Sequence, residues 1–127
     1  MLAHWEQRAI EEVVTYLEVE PSLPKRLRRL GEIAANTSGP EYGGVVAEAS
    51  IRAWARSDVA VYAAVQRVDA QRLGYLHDLL GGIGLGNPDF ARIIYAGLIG
   101  LEDLSARDGQ PIKGPLETLI DLILALE

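Results

Sequence analysis

The stretch Ser57–Gly86, SDVAVYAAVQRVDAQRLGYLHDLLGGIGLG, decides the fold class. Within it Val61, Val65, Val68, Arg72, Leu76, Leu79 and Ile83 recur at intervals of three and four residues, which places them on one face of an α-helix. Ser57 and Asp58 are good N-cap residues, and Gly81, Gly82, Gly84 and Gly86 dissolve the pattern into a loop. The spacing predicts one long helix.

The same period extends in both directions. Toward the N-terminus, Leu2, Trp5, Ala9, Val13 and Tyr16 share a face opposite Arg8, Glu11, Thr15 and Glu18, predicting a helix from Leu2 to Val19 that Pro21-Ser22-Leu23-Pro24 ends. A second helix begins at Pro24, carries Leu27, Leu30, Ile33 and Ala34 inward, and breaks at Asn36-Thr37-Ser38-Gly39-Pro40. Its Lys25, Arg26, Arg28 and Arg29 read as a solvated basic face. A third, Glu41 to Arg56, is expected to turn Tyr42, Val46, Ala49, Ser50, Ala53 and Trp54 inward and Glu48, Arg52 and Arg56 outward. Beyond the long helix, Asn87-Pro88-Asp89 restarts the chain, and Phe90 to Ser105 is apolar almost all round, interrupted mainly by Arg92, Glu102 and Asp103. After a loop from Ala106 to Gly114, a last helix sets Leu116, Leu119, Ile120, Leu122, Ile123 and Leu126 on a wide stripe. Alternation of the β type is missing, so the expectation is an all-α bundle of about six helices, residues 1–127 forming one domain.

With 127 residues, 49% hydrophobic and 24% charged, the composition suits one ordinary globular domain with a single core. The absence of cysteine excludes a disulfide framework, a thiolate nucleophile and cysteine-ligated metal sites. Eighteen acidic against twelve basic residues leave a net charge of -6, the wrong balance for a domain that holds a polyanion by itself. Charges occupy the opening MLAHWEQR where a secretory signal needs its apolar stretch, and no later run is long enough for a membrane span, so a soluble, cytoplasmic protein without membrane contact is expected.

Catalytic signals are weak. His4 and His77 fall on outward helix faces without a metal-ligand partner at helical spacing, and Ser50 lacks a Gly-x-Ser-x-Gly setting. Gly81-Gly82-Ile83-Gly84 stops a helix and follows no strand, unlike a phosphate-cradling loop. The expectation is a protein that is not an enzyme and takes no cofactor or metal.

The last two helices have more apolar surface than one small domain covers, and leftover apolar faces mark interfaces. Gly97 and Gly100, with Ala96, would admit a close helix backbone despite a propensity cost of about 1 kcal/mol per glycine. A symmetric homodimer is the economical partner.

Ile51-Arg52-Ala53-Trp54-Ala55-Arg56-Ser57-Asp58, then Val68-Asp69-Ala70-Gln71-Arg72-Leu73, then Ala91-Arg92-Ile93-Ile94-Tyr95-Ala96-Gly97-Leu98-Ile99-Gly100-Leu101-Glu102, together resemble the carboxy-terminal regulatory domain of TetR/AcrR-type transcriptional regulators. The opening Leu2-Ala3-His4-Trp5 is similar to the start of that domain's first helix, and Pro115 to Leu126 to its last, so the resemblance covers essentially the whole chain. It implies a regulatory half that dimerises and senses a small hydrophobic or amphipathic effector. Operator DNA would be met only through a helix-turn-helix headpiece that this sequence does not contain, most simply as a repressor.

Carried over residue by residue, the family's dimer interface falls on Ile93, Gly97, Gly100, Leu101, Leu104, Leu119, Ile123 and Leu126, forming a four-helix bundle with the symmetry mates. Its effector pocket falls on Trp5, Tyr16, Tyr42, Ser50, Trp54 and Tyr62, read as inward-facing, a mix that also suits ordinary core packing. Arg72 interrupts an apolar face and needs an anion; Asp69 three residues back is one partner, and an acidic ligand is the alternative. A rival reading of the whole chain is a headless helical dimerisation module that binds protein and no small molecule.

Overall fold

The computed structural model describes residues 2–36 and 44–127, which form six α-helices with no strand among the described residues: α1 (Leu2–Leu17), α2 (Leu23–Asn36), α3 (Gly44–Trp54), α4 (Val59–Ile83), α5 (Pro88–Asp108) and α6 (Lys113–Leu124). The all-α bundle expected from the periodicity is the observed architecture.

Local chemistry sets the boundaries. The Asp58 carboxylate accepts hydrogen bonds from the backbone N–H groups of Ala60 (2.9 Å) and Val61 (3.2 Å), satisfying donors that the first turn of α4 leaves unpaired. At the other end Gly84 takes the left-handed conformation (φ 95°) and its N–H returns to Gly81 O. Asn87 caps α5 through Asp89 N–H (3.0 Å), with Pro88 in the first turn, where its missing N–H costs nothing. That helix runs beyond the expected end at Ser105 to Asp108, closed by the left-handed Gly109. The last helix starts at Lys113 and ends at Leu124 rather than spanning Pro115 to Leu126, because a proline within a first turn is tolerated.

The turn from α1 to α2 adds partners to the basic cluster. Arg26 donates twice to the Glu20 carbonyl (2.6 and 3.0 Å) and Arg29 pairs with the Glu20 carboxylate at 3.2 Å. Arg28 reaches Asp121 on α6. Three of the four cations therefore pair with neighbouring groups, while Lys25 and Arg28 stay exposed, so the face is solvated as expected and also ties α2 to its surroundings.

The larger apolar core joins α2, α4, α5 and α6 through Leu27, Leu76, Leu79, Leu80, Ile94, Leu116, Ile120 and Ile123. Gly31 lets α2 and α6 approach closely, since a Cβ placed there would lie 2.5 Å from Ile120 Cδ1. A smaller cluster of Ile51, Val61 and Val65, with Leu2, Trp5 and Ala55 against it, joins α1, α3 and α4 at the opposite end of α4.

Helix α3 is turned to nearly the opposite face from the one expected. Ile51 is buried, Glu48, Arg52 and Ala55 are partly buried, and Ser50, Ala53 and Trp54 are exposed. The expectation assumed that charges point to water. Here Glu48 and Arg52 find partners inside, which removes the penalty that assumption rests on. Expectations for the helix start at Glu41 and for Tyr42 lie outside the described residues, as do those for the side chains of Ala9, Val46 and Ala49. No helix of the described residues is long and apolar enough to cross a membrane.

Candidate functional site

Between its two apolar clusters, the middle of α4 presents Asp69 and Arg72, which lie three residues apart and share a face. They meet Glu48 and Arg52, one turn apart on α3, and Tyr95 on α5. The Arg52 guanidinium donates to both oxygens of Asp69 (2.8 and 3.2 Å), a forked pairing that fixes orientation as well as charge. Arg72 donates to Glu48 Oε1 at 2.9 Å. The Tyr95 hydroxyl ties the two pairs together: it donates to Asp69 Oδ1 at 2.5 Å and accepts from Arg52 (3.1 Å) and Arg72 (3.2 Å).

The electrostatics follow from partial burial. Burial alone would push the Asp69 carboxyl up, but hydrogen bonds from Arg52 and Tyr95 hold it below the usual carboxylate range. Burial also opposes the charge of Arg52 and Arg72, and the neighbouring carboxylates overcome it. Tyr95 is pushed up to about 12, first by burial, and stays a neutral hydroxyl at physiological pH. Glu102, two turns along α5 from Tyr95 and on the same face, is raised to about 7 by burial and by the Glu48 charge, against the opposing pull of Arg72 and Arg52. Its carboxyl therefore gains or loses a proton near neutrality.

Two atoms of the cluster are buried without a hydrogen-bond partner among the described residues: Glu48 Oε2, an acceptor, and Arg52 Nε, a donor. Unpaired buried polar groups cost about 1–3 kcal/mol each, so their persistence wants a reason. The side chains of Glu48, Arg52, Asp69 and Arg72 keep between 14% and 28% of their surface exposed, so solvent reaches the cluster.

The residues expected to line a pocket are not brought together here. Trp5 packs in the smaller apolar cluster. Tyr16 (56% exposed), Trp54 (42%) and Tyr62 (52%) lie on the surface, as does Ser50, and the Tyr62 hydroxyl accepts from Gln66 on its own helix at 3.1 Å. Two errors account for this: the phase of α3, and the assumption that an aromatic at helical spacing points inward. Arg72 is in the cluster, but its carboxylate is Glu48, while Asp69 belongs to Arg52. His77, expected outward, is partly buried, and its Nδ1 is buried without a partner among the described residues.

The residues expected at a dimer interface divide in two. Ile93, Leu104 and Leu126 are exposed, and Gly100 faces open space. Leu101 and Leu119 pack against the larger core, and Ile123 is 6% exposed within it. Gly97 abuts its own chain, since a Cβ there would lie 2.7 Å from Leu119 Cδ2. A stripe assigned wholly to a partner is thus shared, its inner edge closing the contact between α5 and α6.

Sequence reasoning missed Glu48, Arg52, Tyr95 and Glu102 as site residues. Signals were present: a carboxylate and an arginine four apart on α3, their counterparts three apart on α4, and a glutamate seven residues after a tyrosine on the most apolar helix. Set against known proteins, the chain matches no family model, no curated protein and no solved structure.

Proposed function

We propose that this chain is the effector-binding and dimerisation domain of a TetR-like transcriptional regulator, a cytoplasmic repressor relieved by a small hydrophobic or amphipathic molecule. On this reading the chain binds rather than catalyses, and operator DNA is met by a separate headpiece. The observation that carries the reading is an exposed apolar row on two adjacent helices. Ile93 and Leu104 on α5, Leu122 (63% exposed) on α6 and Leu126 (60%) just past its end are exposed, and Gly100 on α5 faces open space. A face of this kind on antiparallel helices is what a two-fold four-helix bundle uses. The effector half of the reading rests on the solvent-reached cluster of α3, α4 and α5, since a ligand that moves a helix must touch more than one of them.

A helical dimerisation module without a ligand is the second reading, favoured by the surface positions of Tyr16, Trp54 and Tyr62. Both readings need the dimer. Light scattering is expected to give twice the chain mass of 13.8 kDa for the wild type and the single-chain mass for Gly100→Arg. Gly100 is the position to use, because arginine at Gly97 would strike the chain's own Leu119. A wild-type monomer would overturn both readings.

A further inference from the structure

The outer face of α5 is self-complementary in a way that its own fold does not require. Asp89, Ile93, Ala96, Gly100, Leu104 and Arg107 follow one another at intervals of three and four residues, so they form one stripe along the helix, and all six are exposed. Gly97, which abuts Leu119 of α6, lies on one side of the stripe, and the exposed Arg92 and Asp103 lie on the other. Asp89 and Arg92 have no ion-pair partner among the described residues, and Asp103 and Arg107 pair only with each other, with 65% and 67% of their side chains still exposed. Against a second copy of the helix running antiparallel, acid meets base, apolar meets apolar and small meets small. Asp89 faces Arg107, Arg92 faces Asp103, Ile93 faces Leu104 and Ala96 faces Gly100. The midpoints of these four pairs all fall between residues 97 and 99, so one register satisfies them together. A parallel copy would set each charge against its own kind. The four charges also sum to zero in a chain of net charge -6, so two copies meet here without adding to their mutual repulsion.

We propose that α5 packs antiparallel against α5 of a second copy of this chain about a two-fold axis at residue 98, with Arg92 paired to Asp103 of the partner subunit and Asp89 to the partner subunit's Arg107. This deepens the dimerisation half of the function proposed above and rests on it. At about 1.5 Å of rise per residue, Ile93 and Leu104 stand about 16 Å apart and meet at the two ends of the crossing. Ala96 and Gly100 lie at its centre, where a Cβ on Gly100 would touch nothing of its own chain and the missing side chain admits a neighbouring backbone. A two-fold axis across the stripe keeps each side of it against the same side of the partner. It therefore brings α6 beside its mate, where Leu122 is exposed, and leaves the Arg92 pairs on the opposite rim. Arg107 approaches Asp103 Oδ2 within the chain, which leaves Oδ1 to the partner subunit's Arg92 and makes the four charges one ladder. Charge pairs on a rim add little affinity, but they select register and partner.

Charge swaps across the pair read the register directly. Dimer dissociation constants are measured by sedimentation equilibrium on the full chain at low ionic strength, for the wild type, Arg92→Glu, Asp103→Arg and an equimolar mixture of the two variants. Each variant alone sets like charges against each other twice, and its dissociation constant is expected to rise about tenfold or more. In the mixed dimer both pairs again carry opposite charges, so the mixture is expected to return to within about threefold of the wild type. Thermal melts of each variant separate a loss of folding from a loss of association, and Asp89→Lys mixed with Arg107→Glu repeats the swap at the second pair. Variants that dimerise as tightly as the wild type, or mixtures no tighter than their components, overturn the register and leave the dimer standing. A wild type that stays monomeric overturns the register and the dimer together.

Discussion

Helix α4 passes through two surroundings without changing its own pattern. In its last turns Leu76, Leu79, Leu80 and Ile83 are enclosed by Leu27 of α2, Ile94 of α5 and Leu116 and Ile120 of α6. In its middle, Asp69 and Arg72 occupy the same spacing but meet three charged side chains and a tyrosine. The first region is held by burial, which is non-directional and shared over many contacts. The second is held by a few directional bonds that depend on one another, so losing any one leaves a charge without a partner. The two regions should therefore fail differently.

The largest effect is expected in the apolar region. Leu80 is fully buried, so Leu80→Ala removes buried methyl groups and leaves a void, at a cost of about 3–4 kcal/mol by urea unfolding. A loss below about 1 kcal/mol would mean that this end of α4 is not closed as described.

In the charged region the informative change is Arg72→Leu, which leaves Glu48 buried without its cation. With both side chains partly exposed, a loss of about 2–3 kcal/mol is expected, and the double variant Glu48→Leu, Arg72→Leu should recover most of it. Such recovery has no counterpart in the apolar region, where a second truncation only enlarges the void. Additive losses would show that the pair is not coupled.

These two regions also differ in how much of them the sequence discloses. The face of α4 was legible because Val61, Val65, Val68, Leu76, Leu79 and Ile83 are apolar at helical spacing, and all six are buried. The cap at Asp58 and the restart of the chain at Asn87-Pro88-Asp89 were legible for the same reason, since each follows a local rule between neighbours. The cluster was not legible, because its partners are 17 to 43 residues apart and on different helices. Periodicity reports that a helix has two faces, and for α3 the charged face was the one that met the interior. Whether a glutamate faces water or an arginine depends on what the fold brings opposite, which no local pattern of α3 contains. The leftover apolar face of α5 and α6 was half visible: Leu104 and Leu126 are exposed as expected, but Ile123 is consumed by the core.

The smallest effect separates the regions by pH. The folded state holds the Glu102 carboxyl at about 7, above its ordinary value of 4.5, so the native protein binds that proton more tightly than the unfolded chain does. The contribution to stability is fully present below about 4.5, declines as pH rises, and is lost above about 7. Glu102→Gln removes the titration. Relative to its difference from wild type at pH 4, the variant should gain about 1–2 kcal/mol at pH 8, with the change falling between those two values. Leu80→Ala, far from any titrating group of the cluster, should show a loss that does not move over the same range. A Glu102→Gln difference equally independent of pH would mean that Glu102 is solvated like any surface carboxylate, and the distinction between the two halves of α4 would then rest on Arg72 and its partners alone.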